Sequence, residues 1–227
     1  VSRAGDGAYK NLTFSKTELR ELRYAGLLHD FGKVGVGEQV LVKQKELYPW
    51  DLDIIRHRFA YLLQSTDLQF EPERPDYLAQ HGEKNYEEAA GRLERARRGR
   101  REELQRFLDA IVRANEPTVL PEGSFEELRD INHRTYIDFD GVERSLLRDD
   151  ELRFLMIRKG NLDDTERREI ESHVTHTLDF LGKIPWTGEL KGIPLIPYGH
   201  HEKLNGRGYP RRINADDIPV QTRMMTI

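Results

Sequence analysis

The sequence has no cysteine among its 227 residues. That excludes disulfides, thiolate nucleophiles and thiolate-bound zinc, and it suits a reducing compartment, so a cytoplasmic location is expected. Long uncharged apolar runs are also missing, and no segment reads as a membrane span. The opening VSRAGDGAYKN lacks both the apolar core of a signal peptide and the Arg- and Ser-rich pattern of a transit peptide. No charge sign dominates: 36 Lys and Arg stand against 40 Asp and Glu, a net charge of -4. This leaves no electrostatic footprint for DNA or RNA, so an anionic ligand must be held by local cations. Runs that alternate at strand period are absent, and the chain reads as all-α.

Helix signals are plentiful. Ser15 with Glu18 makes a capping-box pattern, and Leu19, Leu22, Ala25, Gly26 and His29 share one helical face. The glycines of FGKVGVG are expected to end that helix. A second helix is predicted from Pro49 to about Gln64, with proline at its first position. From about Asn85 to Ala114 runs a long charged helix with a thin apolar stripe of Leu93, Ala96, Leu104, Leu108 and Ile111. Glu88/Arg92 and Glu94/Arg98 can pair across one of its turns. A further helical region opens at Asp163, with Glu166 three residues on. The stretches VLVKQKELYPWDLDIIRHRF and LMIRKGNLDDTERREIESHV resemble each other, which suggests that the residues between them interrupt an older element.

Several residues carry chemistry. His29-Asp30 joins an imidazole to a carboxylate, which suits a first-row metal, and a carboxylate can bridge two ions. The plainer reading of that dipeptide is a capped or surface histidine. His173 lies at the edge of a buried arc formed by Ile170, Val174, Thr177, Leu178 and Leu181, with His176 further round toward solvent. A hydrogen-bonded boundary histidine is the plain alternative there. His200 and His201 are adjacent, so on a helix they point about 100° apart and cannot share one narrow stripe. More than one metal ion would explain the pair. DFDG at 138–141 begins like a calcium loop, but Glu143 stands where the sharp turn needs glycine, and Asp149 stands where a bidentate glutamate belongs. That site is rejected. His57, His81 and His133 are expected at the surface.

Taken in order, LLHDFGKVGV, ERREIESHVTHT and HHEKLNGRGYP strongly resemble the HD-GYP family of cyclic di-GMP phosphodiesterases, a metal-dependent branch of the HD-domain phosphohydrolases. The resemblance covers residues 15–47 and 151–227. It implies an HD-domain helical bundle over 1–70 and 151–227, incomplete at both ends and interrupted by a charged helical insertion over 71–150. It also implies that His29, Asp30, His173, His200 and His201 are metal ligands, with Asp30 bridging. Asp30 and Lys33 would be catalytic, with Lys33 near the substrate phosphate. Gly208, Tyr209 and Pro210 would shape the cleft wall and bind substrate.

The implied cofactor is a di- or trinuclear cluster of iron or manganese. The implied reaction is hydrolysis of cyclic di-GMP to pGpG or GMP in bacterial second-messenger signalling. Two departures bear on this. His29 and His173 are separated by more than half the chain, where the family keeps them closer. The family's further His, often with Glu, before the HD helix and its Asp after the GYP loop fall outside the sequence, so the chain is read as a fragment of a longer protein. A phosphohydrolase for another nucleotide and a catalytically silent nucleotide-sensing or protein-docking module are the rival readings. Beyond the cyclic dinucleotide, a second copy of the chain or an attached regulatory domain is the partner considered.

Overall fold

The computed structural model describes residues 9–70 and 86–226. In chain order their helices are α1 Lys16–Leu28, α2 Glu38–Leu41, α3 Pro49–Phe70, α4 Tyr86–Ala114 and α5 Ser124–His133, then α6 Asp149–Leu155, α7 Asp164–Glu171, α8 His173–Gly182, α9 Leu195–Tyr198 and α10 Val220–Met225. A short antiparallel hairpin, β1 Thr135–Ile137 with β2 Glu143–Ser145, lies between α5 and α6. The fold is all-α apart from this hairpin. His81 and the expected Pro-rich break from residue 71 onward lie outside the described residues. Among the described residues, no helix is long and apolar enough to cross a membrane.

The chain divides into two compact units, Val1–Val42 with Asp164–Ile227, and Lys43–Asp163. The continuous unit is wider than the expected insertion at 71–150. The reason is packing: Leu47, Ile55, Phe59 and Leu62 bury in one core with Leu104, Ile111, Leu128, Ile131 and Leu155. Residues 43–70 and 151–163 therefore belong with the charged helix.

In the discontinuous unit, Ser15 Oγ accepts the Glu18 N–H at 3.2 Å and the Glu18 carboxylate accepts the Ser15 N–H at 2.7 Å, closing the capping box of α1. The helix stops at Leu28 with His29 as its C-cap, ahead of the glycines expected to end it. A 3₁₀ turn, Phe31–Gly35, follows directly. The ERREIESHVTHT run is broken at Ser172 into α7 and α8, so His173 opens a helix. Buried apolar residues of this unit include Ala25, Val36, Val40, Val174, Leu181, Ile193, Ile196 and Ile218. Each large aliphatic side chain so buried contributes about 2 kcal/mol.

In the continuous unit, α4 buries chiefly its C-terminal half: Leu104 and Ile111 are fully enclosed, whereas Leu93 and Ala96 are exposed and Ala89 is the buried residue of the first half. Glu88 pairs with Arg92 at 3.0 Å as expected, but Glu94 pairs with Arg97 at 2.9 Å rather than with Arg98. Beneath the hairpin, Arg58 forks onto Glu151 through two bonds of 2.8 and 2.9 Å, with side-chain exposures of 9% and 1%. Glu151 also accepts the Arg148 N–H at 2.8 Å and so caps α6. DFDG forms the hairpin turn. Asp138 N–H donates to the Val142 carbonyl at 2.9 Å, and Gly141 takes φ 79°, which glycine adopts without strain. Strands of three residues are too short to show a period-2 pattern, which is why the sequence does not announce them.

Candidate metal centre

The turn after α1 swings Asp30 toward α8. Its Oδ1 lies 3.3 Å from His173 Nε2 and 3.8 Å from His200 Nε2. Its Oδ2 lies 3.1 Å from His29 Nε2 and 2.8 Å from Lys33 Nζ. Donor atoms of Asp30, His173, His200 and His201 all fall within 4.8 Å of one another. His29 sits beside this group, its ring 5.1 Å from that of His200. Every member comes from the discontinuous unit, and among the described residues 43–163 supply none.

Three of the imidazoles are aimed by the same local device. His29 Nδ1 donates to the Gly26 carbonyl at 2.8 Å, His173 Nδ1 to Ile170 at 2.5 Å and His200 Nδ1 to Pro197 at 2.6 Å. Each acceptor lies three residues upstream. A proton on Nδ1 leaves a lone pair on Nε2, and each Nε2 points at Asp30. Asp30 Oδ1, His173 Nε2 and His200 Nε2 are buried with no hydrogen-bond partner. Acceptors that face one another without a donor are costly to bury. A cation resolves that cost, so the cluster fits a metal site.

The local charges agree with this. Burial pushes the His200 pKa down, and the neighbouring His29 and His173 add to the effect. Burial, followed by His200 and His173, lowers His201 to about 4. Both rings are neutral near pH 7, the form that binds metal. Burial raises the Asp30 carboxyl, but the Lys33 hydrogen bond and the charges of His29, Lys33 and His173 outweigh it and leave the pKa below the usual aspartate value.

The HHE and GYP segments are built into each other. Gly208 packs on the backbone of the histidine pair: a Cβ there would lie 2.3 Å from Lys203 N and 2.5 Å from the His201 carbonyl. Tyr209 N–H donates to that carbonyl at 3.3 Å, and the Tyr209 ring stacks on His201 at 4.6 Å and 22°. Burial pushes the Tyr209 hydroxyl up to about 12. Pro210 follows, half-buried.

Sequence reasoning missed Glu202. Its carboxylate, 1% exposed, accepts the N–H groups of Arg211 at 2.6 Å, Arg212 at 3.1 Å and Ile213 at 3.2 Å. An irregular loop needs acceptors for its amides, and that need was the available signal. Of the expected site residues, Asp30, His29, Lys33, His173, His200 and His201 converge, and Gly208 and Tyr209 support the histidine pair. His176 is exposed on α8, with its Nε2 3.1 Å from Ser172 Oγ. His57 is exposed on α3, where its Nδ1 donates to the Asp53 carbonyl at 2.8 Å, and His133 is exposed at the end of α5.

Comparison with known proteins adds three findings. Residues 150–227 match the HD domain family. A stretch of 72 residues is 36% identical to 3'3'-cGAMP-specific phosphodiesterase 3 of Vibrio cholerae serotype O1, covering 32% of this chain and 15% of that protein. A stretch of 73 residues is 32% identical to 3'3'-cGAMP-specific phosphodiesterase 2 of the same organism, covering 32% of this chain and 14% of that protein. The chain thus matches about a seventh of the length of these relatives. No solved structure gives a significant match. The similarity is to HD-domain proteins, and the family match lies within residues 150–227.

Proposed function

We propose that the chain carries the metal centre of an HD-GYP-type phosphodiesterase that hydrolyses a cyclic dinucleotide. The observation that carries this reading is the convergence of buried, partnerless acceptors from Asp30, His173 and His200. The ordered HD, HHE and GYP motifs and the activity for which the two relatives are named supply the substrate class. Cyclic di-GMP, giving pGpG or GMP, and 3'3'-cGAMP are the two substrates to compare.

In this reading His29, Asp30, His173, His200 and His201 hold a di- or trinuclear cluster of iron or manganese, since mixed imidazole and carboxylate donors favour these over magnesium. When bound, the metal polarises a phosphoryl oxygen and lowers the pKa of water. Asp30 would be the residue able to hold two ions at once, because its two oxygens face different histidines. Lys33, held at Asp30 Oδ2, offers an ammonium to the substrate phosphate. Tyr209 keeps its hydroxyl proton at neutral pH and walls the cleft beside His201. Gly208 and Pro210 set the path of that wall. Residues 43–163 are a helical unit inserted between the two ligand-bearing segments.

The test is elemental analysis of anaerobically purified protein, followed by turnover assays on cyclic di-GMP and 3'3'-cGAMP. More than one iron or manganese per chain with hydrolysis of either substrate is expected. Bound metal without turnover would favour a silent sensing or docking module, and turnover of another nucleotide alone would favour a different phosphohydrolase. Protein that takes up no metal would sink the reading.

A further inference from the structure

We propose that Thr177 is a positioning residue for this centre: it clamps the backbone around Asp30 onto the helix that carries His173. The proposal rests on the metal reading above and assigns a role to a side chain outside the donor set. Thr177 is 0% exposed and sits on α8 one turn after His173, on the same helical face. By sequence it is only a member of an apolar arc with Val174 and Leu181.

Its hydroxyl works in both directions. Thr177 Oγ1 accepts the Gly32 N–H at 2.8 Å and donates to the His29 carbonyl at 3.1 Å. These two backbone groups bracket Asp30. His29 is the C-cap of α1, where carbonyls run out of intrahelical partners. A hydroxyl can give one hydrogen bond and accept another at once, whereas the similarly shaped valine can do neither.

The steric half of the clamp is Gly32. A Cβ at that position would lie 1.9 Å from the His173 carbonyl oxygen, 2.5 Å from Thr177 N and 2.7 Å from Thr177 Oγ1. The segment therefore rests backbone on backbone against the first turn of α8. One hydroxyl and one bare Cα set how far Asp30 Oδ1 stands from His173 Nε2. Removing the hydroxyl leaves a buried N–H and a part-buried carbonyl without their partner, and the segment gains by lifting toward water. That movement draws Asp30 away from two imidazoles.

The experiment compares the wild-type chain with Thr177→Val, Thr177→Ser and Thr177→Ala. Hydrogen exchange of the peptide spanning residues 29–35 is measured on metal-free protein, and manganese(II) affinity by electron paramagnetic resonance titration, with circular dichroism reporting the fold. For Thr177→Val we expect faster exchange of the Gly32 amide, unchanged helicity and manganese(II) affinity lower by roughly tenfold to a hundredfold. Thr177→Ser should restore both readouts. If the valine variant does not fold, the serine and alanine variants decide: serine keeps the affinity and alanine loses it. Equal affinity in that pair, or exchange and affinity in folded Thr177→Val equal to wild type, overturns the proposal. Faster exchange with undiminished affinity also overturns it, since the tie would then be structural alone. Wild-type protein that binds neither manganese(II) nor iron(II) refutes the metal reading on which the proposal rests, an outcome distinct from a Thr177 variant that binds as the wild type does.

Discussion

Asp30 presents its Oδ1 to His173 Nε2 at 3.3 Å, although the whole continuous unit stands between the two residues in sequence. His176, one turn further along the same helix, is exposed. The two histidines should therefore differ sharply. His173→Ala is expected to lower bound metal and turnover at least tenfold with the fold retained, and His176→Ala to leave metal content unchanged. Metal per chain and hydrolysis rate measured on both variants check this. Equal losses would place His176 among the ligands.

Glu202 holds three consecutive loop amides in a buried setting. Glu202→Ala should cost about 2 kcal/mol or more, because those donors lose a charged acceptor. The visible effect should be local. Trypsin should cut sooner at Arg207, Arg211 and Arg212 in the variant than in wild type, while α3 to α6 stay resistant. Unaltered cleavage kinetics would show that the loop does not depend on the carboxylate.

Arg58 and Glu151 are a largely buried pair in the continuous unit. Arg58→Met alone should destabilise that unit by roughly 3 kcal/mol, since the buried Glu151 carboxylate loses its forked partner and keeps only the Arg148 N–H and guanidinium. Adding Glu151→Leu to the same chain should recover most of that loss. Urea melts of the single and double variants provide the comparison, and an additive outcome would contradict the coupling.

Replacing residues 43–163 by a flexible Gly/Ser linker should preserve metal binding. The donor set lies wholly in the other unit, and the entropy of closing a loop changes only slowly with its length. Loss of metal with helicity retained would show that the continuous unit helps to build the site.

Much of the site is legible in the sequence because the ligand-type residues come in tight local groups: His29 with Asp30, His200 with His201, and Gly208 to Pro210. The wheel over ESHVTH also separates a buried face from an exposed one. What cannot be read is anything that depends on distant partners. Glu202 looks like any charged neighbour until its loop folds back on it. The Arg58–Glu151 pair joins two helices with no shared motif. Within α4, Leu93 and Ala96 carry the same apolar signal as Leu104 and Ile111, yet only the second pair meets a facing helix. The membership of residues 43–70 in the continuous unit is hidden for the same reason, since Leu47 to Leu62 find their core with residues that follow them.

The split of one unit around the other sets an order of birth. His29 and Asp30 leave the ribosome before the continuous unit, yet the helix they pack against is not made until that unit has been synthesised. At ordinary translation speeds that delay is on the order of ten seconds, long enough for residues 43–163 to fold completely first. During it the earlier segment carries Ala25, Val36, Val40 and the Asp30 carboxylate with nothing to dock on. The later-encoded unit is thus the first to mature, and the donor set can assemble only once His173, His200 and His201 have been synthesised.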